Sequence, residues 1–322
     1  MRWKDLKADM LAVGSARLTG EPANRYIARS TAGPGAGAGG AVFFSMGTHR
    51  VKFALDKESP IEIAHRGDGA ADLYYHDHLI SGRLLEPGLH CPEQAFITVT
   101  ESCIFRCRYC PVPRLCGHRK TIEEIMVLVE SVRHKVNAIS ITSGVSGSIE
   151  EEEAYVLEVI RHLAFFGLPI GVSIYPTEQT PDRLKALGVV EVKFNLEAAT
   201  PELFAEMCPG LDYDRLWQVL DRSVELFGKG RVFSNVIIGL GETDAEMEAC
   251  IRKLTSHGMI PVLRPLNPVA ELANRQRPSA ERLKKLYAVH ERALEAAELD
   301  AREALTMCTN CAGCDLVPGK DS

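Results

Sequence analysis

From Ala95 onward the chain alternates short runs of Val, Ile, Phe and Ala with longer stretches whose apolar positions recur at helical spacing. Ala95–Thr100 (AFITVT), Val136–Thr142, Ile170–Tyr175, Val190–Leu196, Val232–Ile238 and Met259–Arg264 predict six strands. The helices between them have readable ends. Thr121…Glu124, Ser148…Glu151 and Thr243…Glu246 are capping boxes, whose side chains satisfy backbone donors that a first helical turn leaves orphaned. Gly167 stops one helix, Thr180-Pro181 opens the next, and Gly188 ends it. Leu216, Trp217, Leu220, Val224 and Phe227 form the apolar stripe of another helix, and a last one runs from Ser279 to about Leu299. Strands and helices alternating in this way imply βαβ units and a parallel sheet, an α/β fold that is either an open sheet or a complete or partial (β/α) barrel. In each case ligands gather at the C-terminal strand ends. The loops of interest therefore follow Thr100, Thr142, Tyr175, Leu196, Ile238 and Arg264.

Residues 1–90 are patterned differently. Trp3, Leu6, Met10 and Val13 predict a short amphipathic helix. Thr31–Ala41 (TAGPGAGAGGA) reads as a flexible linker, and Ala41–Phe53 and Pro60–His65 as strands. The expected organisation is a small N-terminal α+β region (1–90), a (β/α) barrel (91–300) and a C-terminal cysteine-rich tail (301–322). The polar segment Tyr74–His78 reads as a surface or interdomain stretch.

Composition narrows the function classes. The 322 residues are 46% hydrophobic and 25% charged, which suits about two folded units and excludes disorder for the bulk of the chain. A net charge of −6 without a long basic run argues against nucleic acid or an anionic membrane as partner. Neither an apolar stretch of about 20 residues nor a signal-peptide core is present, so the expectation is a cytoplasmic, reduced protein.

In that setting ten cysteines point to metal or redox chemistry rather than disulfides. Cys103, Cys107 and Cys110 (C-x3-C-x2-C) directly follow the first barrel strand, and Cys308, Cys311 and Cys314 (C-x2-C-x2-C) follow the last helix. Cys91, Cys116, Cys208 and Cys250 read as small buried hydrophobes. Three thiolates on a four-iron cubane leave one iron open to a small ligand; zinc completed by Cys116 or His118 is the alternative.

The first motif, with the aromatic Tyr109 before its last cysteine, resembles the signature of the radical SAM superfamily, and more narrowly its biotin-synthase-like members. The resemblance implies a [4Fe-4S] cluster on Cys103, Cys107 and Cys110 whose open iron chelates S-adenosylmethionine (SAM). It also implies reductive cleavage of SAM to a 5′-deoxyadenosyl radical that attacks an unactivated C–H bond. By the same resemblance Tyr109, Ser143, Gly144, Ser173, Asn195, Glu197, Gly239 and Arg264 are expected at the SAM pocket. Of these, Ser143-Gly144 stands for a Gly-Gly-Glu-like segment without its acid, and Gly239-Leu-Gly-Glu242 for a G-x-I-x-G-x-x-E motif with Asn235 at its first glycine.

The C-terminal triplet is similar to the ligands of an auxiliary [4Fe-4S] cluster, with one iron again left for another ligand. In a short chain it resembles two-component lipoyl synthases, and the final helix is long enough to carry it across the barrel mouth. The resemblance implies sulfur insertion, as in lipoyl or biotin synthesis. Radical rearrangement, dehydrogenation or peptide modification with the second cluster relaying electrons or anchoring substrate is the alternative, and a non-catalytic iron–sulfur or zinc protein the other. Expected partners are a small-molecule or carrier-presented substrate and an external one-electron donor such as ferredoxin or flavodoxin.

Overall fold

The computed structural model describes residues 2–28 and 40–322. Most of the Thr31–Ala41 linker lies outside the described residues. Helix α1 (Trp3–Val13) leads into β1 (Ser15–Gly20), β2 (Ala41–Met46), β3 (His49–Leu55), β4 (Glu62–His65), β5 (Ala70–Tyr75) and β6 (His78–Leu85). These six strands close into a small barrel in the order β1-β3-β2-β6-β5-β4. Closure depends on β1, which pairs in parallel with β3 through Ser15 and Ala16 and with β4 from Arg17 onward.

The two predicted strands are thus part of six. Ala41–Phe53 is a hairpin rather than a single strand, since Gly47 at φ +61° allows the tight turn between β2 and β3. Its alternation is masked because both faces of β2 are buried. Val42 and Phe44 fill the small barrel, while Phe43 joins a second apolar cluster below the larger sheet. The exposed His76 lies in the turn between β5 and β6, with His78 at the start of β6.

The second sheet starts with the hairpin β7 (His90–Cys91) and β8 (Gln94–Thr98). It continues through α2 (Ile122–Val132), β9 (Ala138–Thr142), α3 (Ile149–Leu163), β10 (Ile170–Ser173), α4 (Thr180–Ala186) and β11 (Glu191–Lys193). Then come α5 (Pro201–Met207), α6 (Tyr213–Phe227), β12 (Val232–Ile238), α7 (Asp244–Ser256), β13 (Ile260–Pro265) and α8 (Ala280–Ala296). Strands β8 to β13 are parallel and neighbours in chain order, with β7 and β13 at the sheet's edges, so the barrel is partial. All three predicted capping boxes are formed. Helix α8 packs between α7 and α1, tying the two sheets together. Among the described residues no helix is long and apolar enough to cross a membrane.

The course of the tail, open in the sequence, is defined by its contacts. Residues after α8 do not cross the barrel mouth; they enter the opposite end, against the N-terminal halves of the strands. Buried Glu191, at the start of β11, accepts the Leu305 and Thr306 amides at 2.9 and 2.8 Å and the Thr306 hydroxyl at 2.7 Å. Ser140 of β9 accepts the Met307 amide at 2.9 Å, and Gln94 of β8 donates to the Met307 carbonyl at 3.0 Å. A Cβ on Gly171 of β10 would stand 2.0 Å from the Thr306 hydroxyl, so only glycine admits the tail there. The short helix α9 (Met307–Cys311) follows, and the tail closes the base of the barrel.

Candidate active site

The loop from β8 to α2 carries Cys103, Cys107 and Cys110 at the C-terminal strand ends, and its neighbours fix its path. The Ile104 amide donates to the Val145 carbonyl at 2.7 Å, and the Arg108 amide to the Met207 carbonyl at 2.9 Å. Gly144 packs directly beneath: a Cβ there would lie 2.1 Å from the Ser102 carbonyl oxygen. Backbone amides of Phe105 and Val145 point at the Cys103 sulfur, and that of Val112 at Cys110. Burial raises both thiols, Cys110 to about 12. Cys107 moves the other way because the Cys208 thiol hydrogen-bonds to it, and Cys208 correspondingly keeps its proton. The Tyr109 hydroxyl stands 3.6 Å from the Cys208 sulfur.

Below this loop a cavity of about 130 Å³ occupies the barrel interior. Tyr109 lines it from the cysteine loop, and Ser173, Asn195, Glu197 and Arg264 line its walls. Five of the eight residues expected at a ligand pocket therefore meet in one space. Glu197 is held in the left-handed region at φ +60°, its amide donating to the Asn235 carbonyl at 2.8 Å and its carbonyl accepting from Ile237 at 2.7 Å. Such strain in a non-glycine residue persists where the surroundings fix it, and it clusters at functional sites. Enclosed in the cavity wall, its carboxyl is pushed up to about 7 by burial, against the pull of Lys193 and Arg264 and hydrogen bonds from Tyr109 and Asn195.

The other three expected residues, Ser143, Gly144 and Gly239, do not line the cavity. Ser143 accepts the Thr100 amide at 3.0 Å and donates to Glu152 at 2.6 Å. Buried Glu152 also binds the Thr100 hydroxyl and Arg119, so this network anchors the end of β8. Gly144 is required for the close approach of the loop. Gly239, at φ +107°, donates its amide to Glu242, which also takes the Gly241 amide and Arg282 and so fixes the loop.

Sequence reasoning missed Lys193, Phe96 and His90 as cavity residues, and it saw Asn235 only as a motif departure. Lys193 was concealed within an apolar strand; its inward direction follows from sharing a face with Asn195 and Glu197. Cys308 of the tail also lines the cavity, and Lys193 reaches its sulfur at 3.4 Å. Arg264 binds Asp315 of the tail at 3.3 Å, and its Nε has no hydrogen-bond partner. The Asn235 Oδ1 is likewise buried and unpartnered.

These orphaned polar atoms fit a polar ligand in the cavity, since a buried polar group without a partner costs free energy. The first loop supplies thiols alone, with backbone amides aimed at sulfur, a soft donor set that suits an iron–sulfur cluster. Among the described residues no three His, Cys, Asp or Glu side chains are drawn close enough for one metal ion. A mononuclear zinc centre would need such convergence, whereas cubane ligands sit on separate irons.

A partial barrel with a three-cysteine loop over its C-terminal edge and a polar cavity below defines a class of cluster-bearing (β/α) enzymes. Residues 97–254 match the radical SAM superfamily, and this part of the chain is a radical SAM domain. That family implies a [4Fe-4S] cluster and SAM. Lipoyl synthase of Psychromonas ingrahamii is 26% identical over 174 residues, 50% of this chain and 52% of that protein. GTP 3′,8-cyclase of a Sulfurovum species is 28% identical over 170 residues, 48% of this chain and 50% of that protein. The chain thus spans about half the length of the curated relatives it matches. Methylornithine synthase superposes with a TM-score of 0.56 at 18% identity, covering 65% of this chain and 64% of that one. HydG, a maturase of the [FeFe]-hydrogenase, gives 0.54 at 22%, covering 63% and 49%. These structures share the fold.

Proposed function

We propose that the protein is a radical SAM sulfurtransferase that inserts sulfur into an unactivated C–H bond of a small or carrier-presented acyl substrate such as a lipoyl precursor. One observation carries this reading: a single cavity is lined by Tyr109 of the first cysteine loop and by Cys308 of the second set. A substrate held there would face both thiolate groups. Similarity to lipoyl synthases over half the chain supports the same choice.

Cys103, Cys107 and Cys110 would hold the SAM-binding cluster, and Cys308, Cys311 and Cys314 a second [4Fe-4S] cluster as sulfur source. When bound, the first cluster and SAM supply one-electron cleavage of the sulfonium and hydrogen abstraction from substrate. The chain's own residues bind and orient. Lys193 and Arg264 give the cavity a positive end for a carboxylate, of SAM or of substrate. Glu197, with its carboxyl pushed up to about 7, is about half protonated at neutral pH and so can donate a hydrogen bond as well as accept one. Ile237 and Leu266 form an apolar wall that limits water. Because cleavage consumes an electron, a ferredoxin- or flavodoxin-like donor is required.

The test is reconstitution with isotopically heavy sulfide, followed by SAM, reductant and an octanoyl-lysyl peptide. The reading predicts 5′-deoxyadenosine and a product carrying heavy sulfur, and Cys308→Ala should keep the former and lose the latter. A sulfur-free product, unaffected by Cys308→Ala, would favour rearrangement, dehydrogenation or peptide modification instead.

A further inference from the structure

Cys91 lies 217 positions before Cys308 in sequence, yet it belongs to the same buried site. It sits in β7, in the hairpin that β8 completes, and the adjoining Gln94 holds the Met307 carbonyl. Its side chain packs in one buried cluster with Cys311 and Cys308, and the Cys311, Cys308 and Cys314 sulfurs all lie within its electrostatic reach. Phe43, Phe96, Met307 and Ala312 enclose the pair in an apolar shell, with Cys91 2% and Cys311 6% exposed.

Cationic groups surround this dry pocket. Lys193 reaches Cys308, while Lys52 and Arg264 act on Cys314. A buried cluster carrying four thiolates is anionic, and burying such charge requires nearby compensation. Four neighbouring cysteines, each on its own iron, are also the usual ligand set of a [4Fe-4S] cluster. Resting on the reading that the tail holds a second cluster, we infer that Cys91 is its fourth ligand, giving the set Cys91, Cys308, Cys311 and Cys314.

The first site differs in a way that matters. Cys208 also meets one member of a triplet, Cys107, but its sulfur is already engaged by the Tyr109 hydroxyl at 3.6 Å. Cys208 thus stands behind Cys107 as a hydrogen-bond partner, leaving the first cluster three protein ligands. With Cys91 bound, by contrast, every iron of the second cluster has a thiolate, so no iron there is open to substrate or SAM.

The experiment uses the full chain with Cys103, Cys107 and Cys110 all replaced by Ala, reconstituted anaerobically. This background should hold about four irons, and imidazole should leave its EPR and Mössbauer spectra unchanged because no iron is open. Adding Cys91→Ser should shift the EPR signal, because an oxygen ligand or an open position replaces the thiolate, and yield a three-iron species on mild oxidation. Adding Cys208→Ala instead should change none of these. Unaltered spectra in Cys91→Ser, or an imidazole-sensitive iron already in the background, would overturn the Cys91 assignment while leaving the second cluster intact. A folded background devoid of iron would remove the second cluster itself, and the assignment with it. The imidazole measurement stands even if Cys91→Ser fails to fold.

Discussion

Glu197 concentrates the physical tension of the site in one side chain. Its backbone is strained, its carboxyl is enclosed, and both Lys193 and Arg264 draw it toward ionisation without winning. The unfolded chain would titrate this group near its ordinary value of 4.5, the folded one near 7. Across that window the folded state holds more protons, so this residue's contribution to stability is lost as pH rises through it. Glu197→Gln should therefore flatten the decline in melting temperature between about pH 5 and pH 8. Equal slopes in both proteins would show that another group is responsible. At this scale the sequence was informative where a polar residue ended a strand: Asn195, Glu197 and Arg264 all reach the cavity. Ser143 lies outside the cavity lining, its hydroxyl serving a buried carboxylate network.

Among the elements, the cysteine loop depends on its neighbours more than on its own turns. Gly144, in the loop after β9, is the clearest case, since any side chain would meet the Ser102 backbone. Gly144→Ala should cost about 1–3 kcal/mol of stability, a typical penalty for overpacking. It should also lower iron retention on the first loop. Thermal melts and iron counts in a background lacking the C-terminal cysteines would decide; full iron loading there would contradict the proposed support. The six parallel strands and the capped helices were legible because strand and helix periods differ and capping boxes mark helix ends. The small barrel was largely hidden. Its β1 (SARLTG) and β6 (HLISGRLL) alternate weakly, and β2 is apolar on both faces because two clusters cover it.

For the molecule as a whole, the tail joins the two sheets, and a buried ion pair secures it. Lys7 of α1, fully enclosed, binds both oxygens of Asp321 at 2.9 and 2.8 Å and the Ala312 carbonyl at 2.5 Å. Trp3 donates to Asp321 at 2.9 Å, and the Lys52 amide donates to the Gly313 carbonyl at 2.8 Å. Lys7→Met leaves Asp321 buried without its counter-ion and should destabilise the protein by about 3–5 kcal/mol. Iron of the proposed second cluster should be released by chelators sooner than in the unsubstituted protein, while iron on the first loop is unaffected. Equal release rates would separate tail docking from this ion pair. None of this long-range pairing was visible in the sequence. Lys7 reads there as an ordinary helix residue, and no local pattern directs residues 301–322 beneath the barrel rather than over it.

The central claim is that the thiols of the β8–α2 loop form a working SAM-cleaving centre. The most direct test is 5′-deoxyadenosine release by anaerobically reconstituted protein given SAM and a strong one-electron reductant, run beside Cys107→Ala. The account predicts reductant-dependent release from the unsubstituted chain and none above background from the folded variant. Iron-loaded, reduced protein that leaves SAM intact, or a Cys107→Ala variant that cleaves it equally well, would contradict it.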